Sequence, residues 1–226
     1  MSGTRLHFSE ELEDLLHRLL EMGSAADTMI SLAIRALTEQ NVELAEKVIA
    51  YDDVVDNLDL QIETECIRLI ALQQPMARDL RLIGTALKVI TDLERSGDHA
   101  VDIAKVARKL AKDTFYKPLV DLPYMATCVQ QMLKDAMSAL VNHDLELVDK
   151  IVAADDAVDT LFHNIRDELY SVMRQNSGEV VLASHLLFVA HYLERIADHM
   201  VNIAERIYYV ETGNLAQLAM SHKQRS

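Results

Sequence analysis

The sequence predicts an all-α fold, a tandem repeat of two three-helix bundles made of six long antiparallel helices. Composition gives the first reason: among 226 residues there are only 6 Gly and 3 Pro, about half the usual combined share or less. Periodicity gives the second. From Leu12, apolar residues recur at 12, 15, 16, 19, 22, 26, 29, 30, 33 and 37, the 3.6-residue stripe of a long amphipathic helix. The third is internal repetition, set out below.

Each helix has a readable start or stop. Ser9, Glu10 and Glu11 suit the beginning of the first, because short polar and acidic side chains satisfy free N–H groups and the positive end of the helix dipole. A break at Gln40-Asn41 precedes a second helix to Gln73, which Gln74-Pro75 stops because proline cannot continue the hydrogen-bond ladder. The third runs from about Ala77 to Thr114. Two of the prolines fall in Phe115–Pro123, the evident linker. Further helices are expected from Pro123 to Val141, from Asp144 to Arg174 and, after the turn Gln175–Gly178, from Val180 to Glu211, with Gly213 as C-terminal cap. The implied domains are a first repeat over 8–114, a linker over 115–122, a second repeat over 123–212 and a mobile tail over 213–226.

Charge and cysteine usage narrow the function. With 22 Lys plus Arg against 36 Asp plus Glu, the net charge is −14, which disfavours nucleic acid or an anionic membrane as the main partner. Cys66 and Cys128 stand alone in apolar stretches without a CxxC and read as reduced core residues. Residues Met1–Phe8 lack a signal-peptide core, and no unbroken apolar run approaches the ~18 residues of a membrane helix. A cytoplasmic location without membrane insertion is expected.

The repeat lies in two blocks. Asn41–Asp56 aligns with Asp144–Asp159 at an offset of 103, and Asp92–Ala104 with Tyr192–Ala204 at an offset of 100. Both copies carry DxxxD in their second helix, Asp52 with Asp56 and Asp155 with Asp159, and ExxxD in their third, Glu94 with Asp98 and Glu194 with Asp198. Residues four apart share a helix face. In an antiparallel hairpin, residues equidistant from the turn sit level. The first motif pair is centred on 54 and 96, with midpoint 75 at Pro75, and the second on 157 and 196, with midpoint 176.5 inside Gln175–Gly178. Four carboxylates therefore converge twice, roughly 30 Å from the turn at 1.5 Å rise per residue. Oxygen clusters without thiolate select hard cations such as Mg²⁺, Mn²⁺, Ca²⁺ or oxidised iron. The plain alternative is a solvated acidic face paired with Arg95, Arg195, Lys47 and Lys150; two level pairs in two repeats weigh against it.

His99 and His199 follow these acids by one residue, a rotation of about 100°, and suit a supporting or packing role with Asp102 and Asn202. Ser96-Gly97 and Ile196-Ala197 put small residues beside each ExxxD, for close helix approach or ordinary packing. Arg78 and Arg81 open the third helix, where cations are disfavoured, and are candidate partner or anion contacts. No nucleophile elbow, Gly-rich phosphate loop or Ser-His-Asp pattern occurs, so a non-enzymatic regulator is expected. The rivals are a carboxylate-bridged di-iron oxidase or ferroxidase, although its usual Glu-x-x-His step is missing, and a structural helical scaffold.

The Asp92-Leu-Glu-Arg-Ser-Gly-Asp-His and Tyr192-Leu-Glu-Arg-Ile-Ala-Asp-His motifs, the upstream Pro75-Met-Ala-Arg-Asp-Leu-Arg81 and the two DxxxD stretches resemble the PhoU family over about residues 8 to 212. The resemblance implies paired three-helix bundles with metal on the E(D)xxxD pairs, here Asp52, Asp56, Glu94, Asp98, Asp155, Asp159, Glu194 and Asp198. It also implies an adaptor between the ATPase side of a phosphate ABC transporter and a sensor histidine kinase, damping uptake and starvation signalling when phosphate is plentiful. The second repeat departs from the first in Ile196-Ala197, Asn202 and the missing Pro-Met-Ala-Arg-Asp-Leu-Arg segment, so the two sites are expected to differ. A homodimer is expected as the assembly.

Overall fold

Caps and breakers set the helix ends in the computed structural model, which describes residues 3 to 218, with side chains from residue 7. The described helices are α1 (Gly3–Thr38), α2 (Val42–Gln73), α3 (Arg78–Leu110), α4 (Asp121–Asn142), α5 (Leu145–Gln175) and α6 (Val180–Thr212), with one 3₁₀ turn at Ser177–Glu179. The Asn41 side chain caps α2 by accepting from the Leu44 N–H, and Asp144 caps α5 by accepting from Glu146 and Leu147. Gly213 ends α6 at φ 76°, its N–H donating to the Tyr209 carbonyl, a left-handed conformation that glycine adopts without steric cost. At the α2–α3 turn Gln74 takes the same region at φ 47°, while Ala77 has a positive φ of 49° with ψ −115°, outside it.

Three boundaries differ from expectation. α1 begins six residues before Ser9. α3 stops at Leu110 rather than near Thr114. α4 begins at Asp121, so Pro123 sits in its first turn, where a missing N–H leaves no intrahelical bond unmade. The 111–120 connection is fastened: Phe115, Tyr116 and Leu119 pack on the core, and Lys117 bridges Asp121 and Glu168. In the tail, the Leu218 N–H donates to the Glu205 Oε1 at 2.7 Å and its side chain packs on the core. Residues 219–226 of the tail lie outside the described ones.

The helices form two three-helix bundles side by side. α3 and α6 pack on each other at the centre, α1 and α4 pair beside them, and α2 and α5 flank the outside. One continuous apolar core runs through both repeats, including Met22, Met29, Leu93, Met132, Ile196 and Ile203. The tightest approach at a glycine among the described residues is at Gly23, where a Cβ would meet the Met137 side chain at 2.7 Å and that thioether would have to shift. At Gly97 a Cβ would meet Met29 and Val55 at 3.6 Å, which is ordinary packing and agrees with Ala197 at the equivalent position. Helix α6 contains a window of mean hydropathy 1.3, long and apolar enough to cross a membrane, and half of it is buried. Its contacts with α3, α4 and α5 account for that apolarity as a core helix.

Candidate functional site

Helices α2 and α3 bring Asp52, Asp56, Glu94 and Asp98 to one level. Asp52 is pushed above its ordinary pKa first by burial, then by the charges of Asp56 and Asp98; Glu94 is pushed up by burial, then by Asp98, with Asp56 and Asp59 adding to it. The cross-helix pairs 52 with 98 and 56 with 94 both sum to 150, twice the turn position at Pro75. Antiparallel register from that turn fixes the meeting. Asp59, one helical turn beyond Asp56, is a fifth acid the motif search did not single out; burial, then Glu63 and Asp56, raise its pKa. Its signal was present in the sequence, since Asp59 at i+3 from Asp56 shares the helix face of the DxxxD pair.

Arg95 stands at this level. Its guanidinium donates to the Asp98 Oδ2 at 2.9 Å and lies 3.4 Å from the Glu94 carboxylate, with 57 % of the side chain exposed. Such an exposed pair contributes little.

Helices α5 and α6 build the second level from Asp155, Asp159, Glu194 and Asp198. Here Asp155, Glu194 and Asp198 are buried, at 1 %, 7 % and 8 % exposure. Asp159 is pushed above its ordinary pKa by burial, then by Glu194 and Asp198, with His163 pulling it back. Arg195 fastens the level. It donates two hydrogen bonds to the Glu194 carboxylate, lies 2.8 Å from the Asp198 Oδ2 and is itself 27 % exposed. His191 adds a contact, its Nδ1 3.4 Å from Glu194. Lys150, a candidate partner of these acids, instead pairs with Asp135 at 2.7 Å.

The histidines after each ExxxD lie elsewhere. His199 Nδ1 is 2.9 Å from the Asp92 Oδ1, and the Asn202 amide donates to the same oxygen at 3.1 Å. His99 stacks on Tyr192 with centroids 5.7 Å apart and lies 5.7 Å from His199. All of these residues face the α3–α6 seam, because the 100° step per residue turns them from the carboxylate face toward the opposite bundle. Burial, then the nearby His199, hold His99 below the ordinary imidazole pKa, so it is neutral at pH 7. Asp102 pairs with Lys105 at 3.0 Å on the same seam. His199 and Asn202 on Asp92, with His99 stacked on Tyr192, thus join the two repeats across the seam.

Arg78 and Arg81 also have partners within the chain. Arg78 pairs with Glu211 at 2.9 Å, and Arg81 donates twice to the Val210 carbonyl. The C-terminal carbonyls of α6 carry the negative end of its dipole, which explains two arginines at the start of α3. Cys66 is fully buried and Cys128 partly so. Burial pushes the Cys66 thiol up to about 12, so it is un-ionised and inert.

The donor set of both levels, all carboxylate oxygen, fits a hard cation rather than zinc. Among the described residues no three or more Asp, Glu, His or Cys side chains are grouped so as to hold a metal ion; Arg95 and Arg195 pair with the acids.

The family model for the PhoU domain matches the chain twice, over residues 19–107 and 122–207. The chain belongs to the PhoU family. The two matched segments coincide with the two bundles, each containing one carboxylate level. Relatives described as phosphate-specific transport system accessory protein PhoU homologs include one from Clostridium acetobutylicum, 40 % identical over 95 % of this chain and 99 % of that one. Another, from Aquifex aeolicus, is 40 % identical over 92 % of this chain and 94 % of that one. Two crystal structures share the fold with TM-scores of 0.88: PhoU from Pseudomonas aeruginosa, 32 % identical over 92 % of this chain and all of that one, and the phosphate transport system regulatory protein PhoU from Streptococcus pneumoniae, 31 % identical over 93 % of this chain and all of that one.

Proposed function

We propose that this PhoU-family protein is a cytoplasmic, non-enzymatic regulator of phosphate uptake and of phosphate-starvation signalling. It acts as an adaptor between the ATPase subunit of a phosphate ABC transporter and a sensor histidine kinase. The observation that carries this reading is the match to transport accessory proteins over nearly the whole chain. Its shape is suited to the task. The end of the α2–α3 hairpin leaves Ile67, Leu72, Met76 and Leu80 between 45 % and 79 % exposed, apolar surface of the kind that meets other proteins.

The two carboxylate levels are the proposed cation sites, held by Asp52, Asp56, Glu94 and Asp98 and by Asp155, Asp159, Glu194 and Asp198. A hard cation such as iron, Mn²⁺ or Mg²⁺ would neutralise acids that otherwise repel one another. The protein's part is to hold the two helices of each hairpin in register, so its effect is on the stiffness and surface of the bundle.

Deleting the gene and measuring phosphate uptake with a starvation reporter in phosphate-rich medium tests the function. A reporter left switched on with excess phosphate accumulation is the expected result. Normal uptake and a silent reporter in a strain without any second family member would overturn it. Complementation with D98N/D198N protein then separates the cation sites from the adaptor role.

A further inference from the structure

The duplication leaves two related grooves along the α3–α6 seam. His199 touches Asp92 while His99 stacks on Tyr192, so a residue of α3 and the residue 100 positions later in α6 occupy equivalent places about an internal two-fold axis. One groove, of about 470 Å³, is bordered by Asp102, Lys105 and Val106 from α3 and by Phe188 and Tyr192 from α6. Shifting each by 100 gives Asn202, Glu205, Arg206, Lys88 and Asp92, and all five line the second groove, of about 240 Å³. The same place has been built twice and filled with different chemistry.

In the smaller groove both acids are engaged within the chain. Asp92 is held by His199 and Asn202, and Glu205 accepts the N–H of Leu218 from the tail. The larger groove is open and cationic. Arg108 and Lys109 join Lys105 on its α3 side, three positive side chains against Asp102, in a chain whose net charge is −14. Two of the three have surface partners, Lys105 with Asp102 at 3.0 Å and Arg108 with Glu46 at 2.8 Å, and every side chain in these pairs is at least 37 % exposed. Pairs of this kind are weak and exchange readily for a stronger anion. The opposite wall is aromatic: Phe188 is 55 % exposed and stacks on Tyr192 with centroids 6.3 Å apart.

A groove of this size lies in the range of small-molecule sites, roughly 300–1,000 Å³. Its positive wall suits phosphoryl oxygens, and its exposed ring suits a planar base. A long polyanion would be repelled by the acidic remainder of the surface, whereas a small anion responds mainly to charges within about 10 Å.

We propose that the Lys105–Phe188 groove binds a nucleoside phosphate, with the base on Phe188 and the phosphoryl groups on Lys105, Arg108 and Lys109. This inference stands independently of the transport reading. Calorimetric titration of the full chain with ADP, pyrophosphate and adenosine, at about 50 mM salt and without divalent cation, tests it. ADP is expected to bind at micromolar concentration, at least tenfold tighter than pyrophosphate or adenosine. F188A and the K105E/K109E double variant should each lose tenfold or more, while K88A and R206A in the companion groove leave the affinity in place. The altered side chains are on the surface, and unchanged circular-dichroism melting certifies the fold of each variant. Absence of ADP binding at millimolar concentration overturns the proposal, as does pyrophosphate binding as tightly as ADP, affinity unchanged in F188A or K105E/K109E, or affinity lost in K88A or R206A.

Discussion

At the first carboxylate level Arg95 lies on the surface with 57 % of its side chain exposed, and at the second Arg195 is 27 % exposed and grips two buried acids. The motif is the same, Leu-Glu-Arg followed three residues on by Asp. The surroundings differ. Where the first repeat has Asp59 and Thr91, the second has Phe162 and His191, bulkier side chains beside the acids, and His191 contacts Glu194 directly. A buried carboxylate needs a compensating charge far more than an exposed one does. The first level is therefore open, with its arginine on the surface, and the second is closed, with Arg195 offsetting part of the charge of Glu194 and Asp198.

The largest effect expected from this contrast is on stability. R195A leaves Glu194 and Asp198 buried without their cation and should cost about 3 kcal/mol, whereas R95A should cost less than about 1 kcal/mol. Urea unfolding of the two variants measures both; equal losses would break the comparison.

A smaller effect concerns cations. Under the cation reading, the first level should take up Mn²⁺ at lower concentration, since its arginine is readily displaced and Asp59 adds charge. Electron paramagnetic resonance titration should lose the tighter class in D52N/D98N and keep it in D155N/D198N. The reverse assignment would place the working site in the second repeat.

The smallest effect is on pH dependence. Asp52, Asp59, Glu94 and Asp159 hold their protons to higher pH in the folded chain than in the unfolded one. The native state then binds more protons, and metal-free stability falls as pH rises from the ordinary carboxylate range through the raised values. D52N should raise the melting temperature at pH 7 by about 1–3 °C and flatten that fall. Saturating Mn²⁺ should flatten it in the wild-type protein. A stability gain of D52N over wild type that shrinks as pH rises from 4 to 7 would contradict the sign.

Which acids meet was legible in the sequence because a single turn position and the helical period determine antiparallel register; Pro75 places Asp52 opposite Asp98. How deeply each set is buried was not, since both repeats carry the same motif and only the packing around it separates them. Arg81 presents a similar case. Its placement at a helix start signals that it needs a negative partner, but the partner is the Val210 carbonyl, 129 positions away, and only the packing of α3 against α6 supplies it. Lone cysteines, by contrast, were readable from their apolar neighbours, as the fully buried Cys66 illustrates.

The seam where His199 meets Asp92 and His99 meets Tyr192 has an evolutionary consequence. In a pair of identical subunits every substitution appears on both sides of the axis at once, so an acid gained at one position is gained at its mirror. Once both halves are encoded in tandem, each side mutates alone. A contact surface that was obliged to be symmetric becomes free to specialise, one end locking the halves together while the other is released to meet something outside the chain.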